Sequence, residues 1–527
     1  MKSYIDVGVV RVQRYLARPR RLRTQRGGSA LIKFATSKMP SRYAAPKAQK
    51  PATIAKGQPW DPVADYCKCL EEKGHQGWKR NDEAGDIAGV VSVVHKGGRE
   101  VSKDELHQCA DLLMGWLRDG LPNAELEAYG ISTAKTYVKA YDKMHAQDCR
   151  LGTALPLMTD FPGLLPCDEC GASPVVDQKP LRDPDTKQVT ILRVCDDCAK
   201  RLDDHGRQAE LASQAELTSP SKPASPSEPT DQTAWLVART FLVESKLLAK
   251  ITKGRRKRLG DGSDVKAAED FANLADLQIG SSRSNHLATV WIDGDSIGER
   301  FKKLEDPELR RKAVARLSQA TKHALIKASK AICEDKYDKC PVIPHVLGGD
   351  DVVVTLVASK AWRFVRTFLS AFEKRTQQWL PGATASAAMV FARQNYPFAA
   401  QLDRAEELLG QTKRHAARYR RDRDPEKTSC VGWVDLTRED SLAISEFHLS
   451  LDEIAGIKDD LDALDAKVSA TQREAWVRLL CDPDTDHARA RIYSDARRVG
   501  NLPLVRRLFP NNAVLRQRLE MLRWWNA

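Results

Sequence analysis

The sequence predicts an α+β fold with two ferredoxin-like domains, a zinc ribbon between them and a helical domain at the C-terminus. Three observations support this prediction. Residues 286–413 read as strand, helix, hairpin, helix, strand and helix, which is the ferredoxin-like order. The N-terminal half repeats this order in the same sequence. Two Cys-x-x-Cys pairs lie between the halves, at 167–170 and 195–198.

The size and charge of the chain limit the classes of function. A chain of 527 residues is long enough for several domains. It carries 84 Lys and Arg against 71 Asp and Glu, a formal net charge of +13. Such an excess favours a polyanionic partner, such as nucleic acid, without identifying one. No apolar stretch approaches the roughly 20 residues that cross a bilayer, and the N-terminus lacks the features of a secretory signal. No membrane contact is therefore expected. Because the 12 cysteines are dispersed, a disulfide framework is not expected either, and the cytoplasm is the expected compartment.

Residues 1–160 are predicted to form the first ferredoxin-like domain, in a degenerate form. A strand running into a helix at 4–16 matches 290–301, and a helix ending in Leu-Pro at 112–129 matches 368–387. The apolar segment 86–95 takes the place of the central hairpin. Where the second copy has an acidic turn, this copy has His95, Lys96, Gly97 and Gly98. The first domain is therefore predicted to hold no metal.

Residues 161–205 are predicted to form a zinc ribbon. Each Cys-x-x-Cys pair has the knuckle spacing with which two thiolates bind one tetrahedral Zn²⁺. The predicted ligands are Cys167, Cys170, Cys195 and Cys198. A redox dithiol is the alternative, but it needs only one pair and a thioredoxin-like βαβ context, which is missing here. Since protein would fill all four positions, the zinc is expected to be structural.

Two connecting segments separate the ribbon from the second ferredoxin-like domain. Residues 206–232 are rich in Pro and Ser and are predicted to be a linker. Residues 233–285 are predicted to be a helical connector, with a basic loop at 254–262. This loop and the Arg-rich runs at 18–23 and 413–423 are either solvated surface or contacts to RNA or nucleotide phosphates.

Residues 286–438 are predicted to form the catalytic domain. Its first strand ends in Asp293, Gly294, Asp295 and Ser296. A hairpin at 345–356 has four residues in its turn, namely Gly348, Gly349, Asp350 and Asp351. Glycine permits a positive φ there and the close approach of a nucleotide. If the two strands are neighbours, Asp293, Asp350 and Asp351 converge, and carboxylates of this kind suit Mg²⁺ or Mn²⁺. Ordinary turn chemistry is the alternative for the second motif.

Residues 439–527 have apolar residues at i, i+3 and i+4 spacing and are predicted to form a helical domain. The last segment, 515–525, reads as an amphipathic helix that packs on the body.

With these motifs the chain resembles the large subunit of type III CRISPR effector complexes, the CRISPR polymerase family. The family's palm domain has an Asp-Gly-Asp strand, a Gly-Gly-Asp-Asp hairpin, a Ser-Ala strand and a Leu-Leu-x-x-x-Lys helix. Here these are 293–295, 348–351, 386–387 and 408–413. The family also has a first palm and an intervening zinc region. Its first palm begins with Gly-x-Val-Gln, and Gly8-x-x-x-Val12-Gln13 departs from that pattern by an insertion.

The resemblance implies conversion of ATP to 3′–5′ cyclic oligoadenylates when a guide complex recognises target RNA. Asp293 and Asp350 would hold two metals, with Asp351 and Asp295 as further ligands. Gly294 and Ser296 would lie near the phosphates, and Lys413 would neutralise triphosphate charge. The implied partners are guide RNA, target RNA and the other subunits of a multi-subunit ribonucleoprotein. The sequence has no His-Asp dipeptide, so the nuclease activity of many relatives is expected to be absent.

Two other functions remain open. The chain could be a non-catalytic RNA-binding scaffold of the effector complex, although the intact acidic set counts against this. It could also be a stand-alone nucleotide cyclase, which would need neither a zinc ribbon nor a duplicated palm.

Overall fold

The computed structural model is a mixed α+β protein. It describes residues 2–10, 12–19, 22–36, 61–84, 89–97, 100–146, 150–153, 165–182, 188–203, 268, 270–278, 285–304, 306–334, 337, 339–422, 429–437, 446–480, 485–508 and 511–525. The chain divides into two compact units, Met1–Leu247 with Lys302–Arg311, and Leu248–Phe301 with Lys312–Ala527. The predicted linker at 206–232 and the basic loop at 254–262 lie outside the described residues, as does most of the predicted connector at 233–285. None of the described helices has the length and apolar composition to cross a membrane.

The first unit contains a five-stranded antiparallel sheet in the order β2-β3-β1-β4-β5. The strands are β1 (Lys2–Val10), β2 (Trp78–Arg80), β3 (Val90–His95), β4 (Glu125–Ala134) and β5 (Arg150–Thr153). The helices are α1 (Val12–Ala17), α2 (Leu22–Thr36), α3 (Pro62–Glu72), α4 (Lys103–Gly120) and α5 (Tyr137–Ala146). Asp61 and Ser102 cap α3 and α4 because their side chains accept bonds from the first free backbone amides.

A short ribbon within the same unit carries the four predicted zinc ligands. Its strands β6 (Asp177–Arg182) and β7 (Val189–Val194) pair antiparallel, and residues 196–203 are helical. Arg201 on this helical segment is fully buried and its Nε donates to Asp197. Its guanidinium lies 4.0 Å from the centre of the Tyr15 ring and donates to the Tyr15 carbonyl. The ribbon is therefore docked onto α1 through a buried cation.

The second unit contains a six-stranded sheet in the order β13-β12-β11-β8-β10-β9. The strands are β8 (His286–Gly294), β9 (Val342–Gly348), β10 (Asp351–Val357), β11 (Ala385–Arg393), β12 (Cys430–Asp435) and β13 (Phe447–Ser450). Strands β8 to β12 are arranged like strands β1 to β5 of the first unit, with a hairpin at one edge and the first strand of the set in the centre. The last pair differs, since β11 and β12 run parallel whereas β4 and β5 run antiparallel.

Five helices precede or connect the strands of this sheet. They are α6 (Phe271–Asp276), α7 (Ile297–Lys302), α8 (Pro307–Ile332), α9 (Ala361–Thr376) and α10 (Phe398–Asp422). Five more follow, α11 (Leu451–Lys467), α12 (Ala470–Leu479), α13 (Thr485–Arg498), α14 (Leu502–Leu508) and α15 (Asn512–Arg523). The sheet extends beyond the predicted boundary at 438, because β13 pairs with β12 before α11 begins. After α15, Trp524 stacks on Phe391 of β11 at 5.1 Å and donates to Asp435 at 2.8 Å.

Gly27 in α2 is predicted to be essential for docking of the ribbon. A methyl group there would lie 2.0 Å from the Arg201 carbonyl oxygen, so Gly27→Ala forces the helical segment away. We expect a loss of about 1–3 kcal/mol in the free energy of unfolding, measured by thermal and denaturant unfolding. Gly115→Ala is the matched control, since its methyl group would meet no atom within 4 Å and alanine favours a helix. Equal stability of the two variants would contradict this account.

Candidate active site

The predicted acidic strand and acidic hairpin are neighbours in the sheet. β8 and β10 pair antiparallel, with Val352 opposite Ile292. This register brings the end of β8, where Asp293 lies, beside the turn that joins β9 to β10. Asp350 occupies that turn and Asp351 begins β10. The strand adjacency that the sequence argument required is present.

Asp293 and Asp350 form a close carboxyl pair. Burial raises the pKa of Asp350 to about 6, and the neighbouring charge of Asp293 together with a hydrogen bond between the two side chains adds to this increase. Two carboxylates in contact repel one another, so the pair holds a proton up to a higher pH than an ordinary aspartate does. A divalent cation would replace that proton, which makes the pair the part of the acidic set best suited to Mg²⁺ or Mn²⁺.

Lys413 is the counter-ion of this pair. Its Nζ donates to Asp293 Oδ2 in a very short contact and to the Gly294 carbonyl at 3.2 Å. Lys413 lies on α10, and 119 residues separate it from Asp293 in the sequence. Its side chain is half-buried. The structure thus brings Lys413 to the predicted site, where it contacts the aspartate.

Asp351 is oriented by an indole rather than by the carboxyl pair. Trp291, which is buried on β8, donates its Nε1 hydrogen to Asp351 Oδ1 at 2.7 Å. Sequence reasoning did not identify Trp291. Its position two residues before Asp293 on the same strand is the available signal, because alternate residues of a strand face the same side.

Asp295 has a different environment from the other aspartates. It is 5% exposed and accepts hydrogen bonds from Thr384 at 2.8 Å and Ser386 at 2.7 Å. Arg420 of α10 completes its shell with an ion pair at 2.5 Å and also donates to Thr384. The Asp295 amide donates to the Thr384 carbonyl at 2.9 Å. The carboxylate of Asp295 therefore connects the end of β8 to β11 and α10 through hydrogen bonds and an ion pair. Its role as a metal ligand remains a prediction.

The backbone at the site is shaped by two glycines and a serine. Gly349 has a φ of 58°, and its carbonyl accepts a hydrogen bond from Thr321 of α8 at 2.7 Å. Gly348 ends β9 and is exposed. Ser296 is exposed and has a φ of 55°, a left-handed conformation that is uncommon outside glycine. It lies between Asp295 and α7, so the chain reverses sharply after the acidic strand.

The four cysteines of the ribbon fit a zinc ion. Their sulfur atoms lie within 4.8 Å of one another, and they are the single group of this kind found in the part of the chain that the structure describes. Tetrahedral sites with Zn–S bonds of about 2.3 Å separate the sulfurs by about 3.8 Å. The Cys170 and Cys195 sulfurs are 3.8 Å apart. Asn123 donates toward the Cys195 sulfur at 3.9 Å, the kind of outer contact that orients a ligand.

The comparisons with known proteins agree with this site. Residues 286–423 match the family model for Cas10/Cmr2, second palm domain. This segment is similar to the second palm domain of Cas10/Cmr2. It contains the acidic strand, the hairpin and Lys413, so the predicted relationship to the large subunit of type III CRISPR effectors is confirmed. No curated protein matches the chain in sequence.

Solved structures show a distant likeness over the whole chain. Csm1 in T. onnurineus is 11% identical, with a TM-score of 0.49 over 100% of this chain and 68% of that chain. A Csm1-Csm4 cassette in complex with cA4 is 11% identical, with a TM-score of 0.48 over 100% of this chain and 70% of that chain. Likeness at this level supports no conclusion about function.

Gly294 is predicted to be essential for the carboxyl pair. A methyl group there would lie 2.4 Å from Asp350 Oδ2 and 2.5 Å from Ile297, so Gly294→Ala pushes the hairpin turn away from β8. Gly298→Ala is the control, because its methyl group would meet no atom within 4 Å. We expect Mn²⁺ binding, measured by electron paramagnetic resonance of the free ion, to weaken at least tenfold in the first variant alone. Similar Mn²⁺ affinity in both variants would contradict the geometry.

Asp350 is predicted to make the stability of the metal-free protein depend on pH. Its pKa is about 6 in the folded state against 3.8 as the ordinary value, so the folded state binds the extra proton. The stability that this proton confers is present below pH 3.8 and is lost as the pH rises through about 6. Asp350→Asn removes the effect and should stabilise the protein by about 1–2 kcal/mol at pH 8 but not near pH 4.

Thermal unfolding without added divalent metal, measured at both pH values, tests this expectation. Asp276→Asn, at an exposed position on α6, is the control. A stability gain for Asp350→Asn that is the same at both pH values would contradict the proton-sharing pair.

Proposed function

We propose that the chain is the large subunit of a type III CRISPR effector and polymerises ATP into cyclic oligoadenylates when target RNA is recognised. The observation that carries this proposal is the Asp293–Asp350 carboxyl pair at the hairpin of a Cas10/Cmr2 second palm, with Lys413 against it. A palm that served only as a scaffold would have no reason to retain two repelling carboxyl groups at this position.

The tandem arrangement is part of the proposal. The two sheets share the order of their first five strands, which supports two palm domains with a zinc ribbon in the sequence between them. In the first sheet the acidic residue of the central strand is Asp6, which lies four residues before the end of β1 and accepts hydrogen bonds from Ser92 and from Tyr137. Asp6 is buried and faces hydroxyl groups rather than a second carboxylate. This supports a first palm without catalytic metal.

The chain's own residues account for metal binding and substrate positioning. Asp293 and Asp350 would hold the metals, with Asp351 oriented beside them by Trp291. When bound, Mg²⁺ or Mn²⁺ would lower the pKa of the attacking ribose 3′-hydroxyl and stabilise the pyrophosphate leaving group. Lys413 would then be released from Asp293 and could meet the negative charge of the triphosphate. The absence of a side chain at Gly294 keeps Asp350 close to β8.

The Lys413 contact also explains how the site is stabilised before substrate binds. The ammonium group offsets the charge of Asp293, and the raised pKa of Asp350 keeps a larger share of that carboxyl protonated than in an ordinary aspartate, which reduces the negative charge of the pair. A cation and a substrate would replace both. This exchange requires a lysine within reach of both Asp293 and the adjacent backbone, which α10 provides.

Product analysis by mass spectrometry tests the proposal. The chain is incubated with ATP and Mg²⁺ or Mn²⁺, alone and with effector subunits, guide RNA and target RNA. We expect cyclic oligoadenylates from the complex, none from Asp350→Ala/Asp351→Ala, and a loss of about a hundredfold in Lys413→Met. Asp276→Ala and Lys467→Met, at exposed positions away from the carboxyl pair, are the controls.

Two results would change the conclusion. If an assembled complex with bound RNA makes no product from any nucleotide, the scaffold function is favoured. If the chain makes a cyclic dinucleotide without RNA or partner subunits, the stand-alone cyclase is favoured.

A further inference from the structure

α8 has the largest excess of Lys and Arg over Asp and Glu among the described helices. Its 26 residues contain one acidic residue, Glu308, in the first turn. From Lys312 to Ile332 the helix has five Lys and Arg residues and a histidine and no Asp or Glu. Beyond the first turn, where Glu308 lies four residues before Lys312, the helix has no acidic residue that could form an i, i+4 ion pair.

The positive residues are concentrated on one exposed face. We call this face the basic stripe, and it consists of Lys312, Arg316, His323, Lys327 and Lys330, with Gln319 between them. Their spacing of three or four residues places them in a single line along the helix. The opposite face, with Leu317, Ala320 and Leu325, is buried. The stripe is thus held on a rigid helix whose other side is anchored.

The positive charge of the basic stripe is not offset nearby. Among the residues that the structure describes, no carboxylate pairs with Lys312, Arg316, Lys327 or Lys330. Arg375, at the end of α9, adds a further cation beside His323. Partial burial and the charges of Arg375 and Lys327 together lower the pKa of His323. The stripe therefore generates a positive potential that no ion pair with the described residues compensates.

We propose that the basic stripe of α8 binds the sugar-phosphate backbone of a nucleic acid. Evenly spaced cations along a straight helix complement a chain of evenly spaced anions, whereas an acidic protein surface has no such regular spacing. At 1.5 Å per residue the stripe is about 27 Å long, enough to follow several successive phosphates. Arg and Lys contacts of this kind give affinity without base specificity.

This surface is separate from the nucleotidyl-transfer chemistry, although the same helix supports the site. Thr321, two residues before His323, faces inward and donates to the Gly349 carbonyl in the hairpin turn. The stripe faces outward on the same helix. Backbone binding by the stripe does not require the Asp293–Asp350 pair, so it can be measured in a variant that lacks catalytic activity.

Fluorescence anisotropy tests the proposal with the full chain in an Asp350→Asn background. The probes are a labelled 20-nucleotide RNA and the DNA of the same sequence. The stripe variant combines Lys312→Gln, Arg316→Gln, Lys327→Gln and Lys330→Gln. The matched control combines Lys73→Gln, Lys103→Gln, Lys135→Gln and Lys139→Gln, four exposed lysines of the first unit with the same change in net charge.

We expect the stripe variant to bind both probes at least tenfold more weakly, and the control to bind like the parent. The slope of log affinity against log salt concentration should decrease in magnitude by about 3, because roughly 0.7 is lost per phosphate contact on a single strand. A stronger loss for RNA than for DNA would assign the site to RNA, and an equal loss would assign it to either backbone.

Three results would overturn the proposal. The first is unchanged affinity in the stripe variant with circular dichroism showing an intact fold. The second is an equal loss in the control, which would indicate a general effect of net charge. The third is the absence of binding to either probe by the parent, which would leave an acidic protein as the partner of this face. A single charge reversal, Lys327→Glu, should weaken binding in the same direction if the four-residue variant does not fold.

Discussion

The second palm is organised around two carboxyl groups that repel one another. Asp293 is the penultimate residue of a strand whose interior is fully buried, and Asp350 is in the turn of the neighbouring hairpin, so folding itself brings them together. Their repulsion is offset by the ammonium of Lys413, and below about pH 6 also by the proton that Asp350 binds. Gly294 is required because any side chain there would separate them. The fold thus brings two carboxyl groups and a lysine together at the end of β8.

Each segment that delivers an acidic residue is held by a separate contact from another part of the fold. The hairpin turn is held by Thr321 of α8, and Asp351 by Trp291 of β8. The chain after β8 is held by Asp295, whose partners Thr384, Ser386 and Arg420 come from the loop before β11, from β11 and from α10. An arginine in a buried ion pair gives fixed geometry as well as charge balance. We infer that Asp295 positions the acidic strand, whether or not it also reaches a metal.

The sequence predicted what depends on local pattern and could not predict what depends on long-range packing. The acidic strand and the acidic hairpin were predicted from glycine turns flanked by apolar runs, with their adjacency as a condition, and the cysteine cluster was predicted from spacing. The Asp295–Arg420 pair could not be predicted, because 124 residues separate its members and Arg420 lies in a run of basic residues that look alike. The strand β13 was missed since four residues before a helix carry little periodic signal. Likewise, Gly27 is explained only by the Arg201 backbone against it.

The excess of positive charge has two distinct uses in this chain, and composition alone does not separate them. Arg201, Lys413 and Arg420 are paired with aspartates inside the fold, where an unpaired cation would be strongly destabilising. These residues stabilise the structure, and their charges are offset by their aspartate partners. The stripe on α8 is the opposite case, exposed and without acidic partners among the described residues. A net charge of +13 therefore supports binding of a polyanion only through the subset of cations that the fold leaves unpaired.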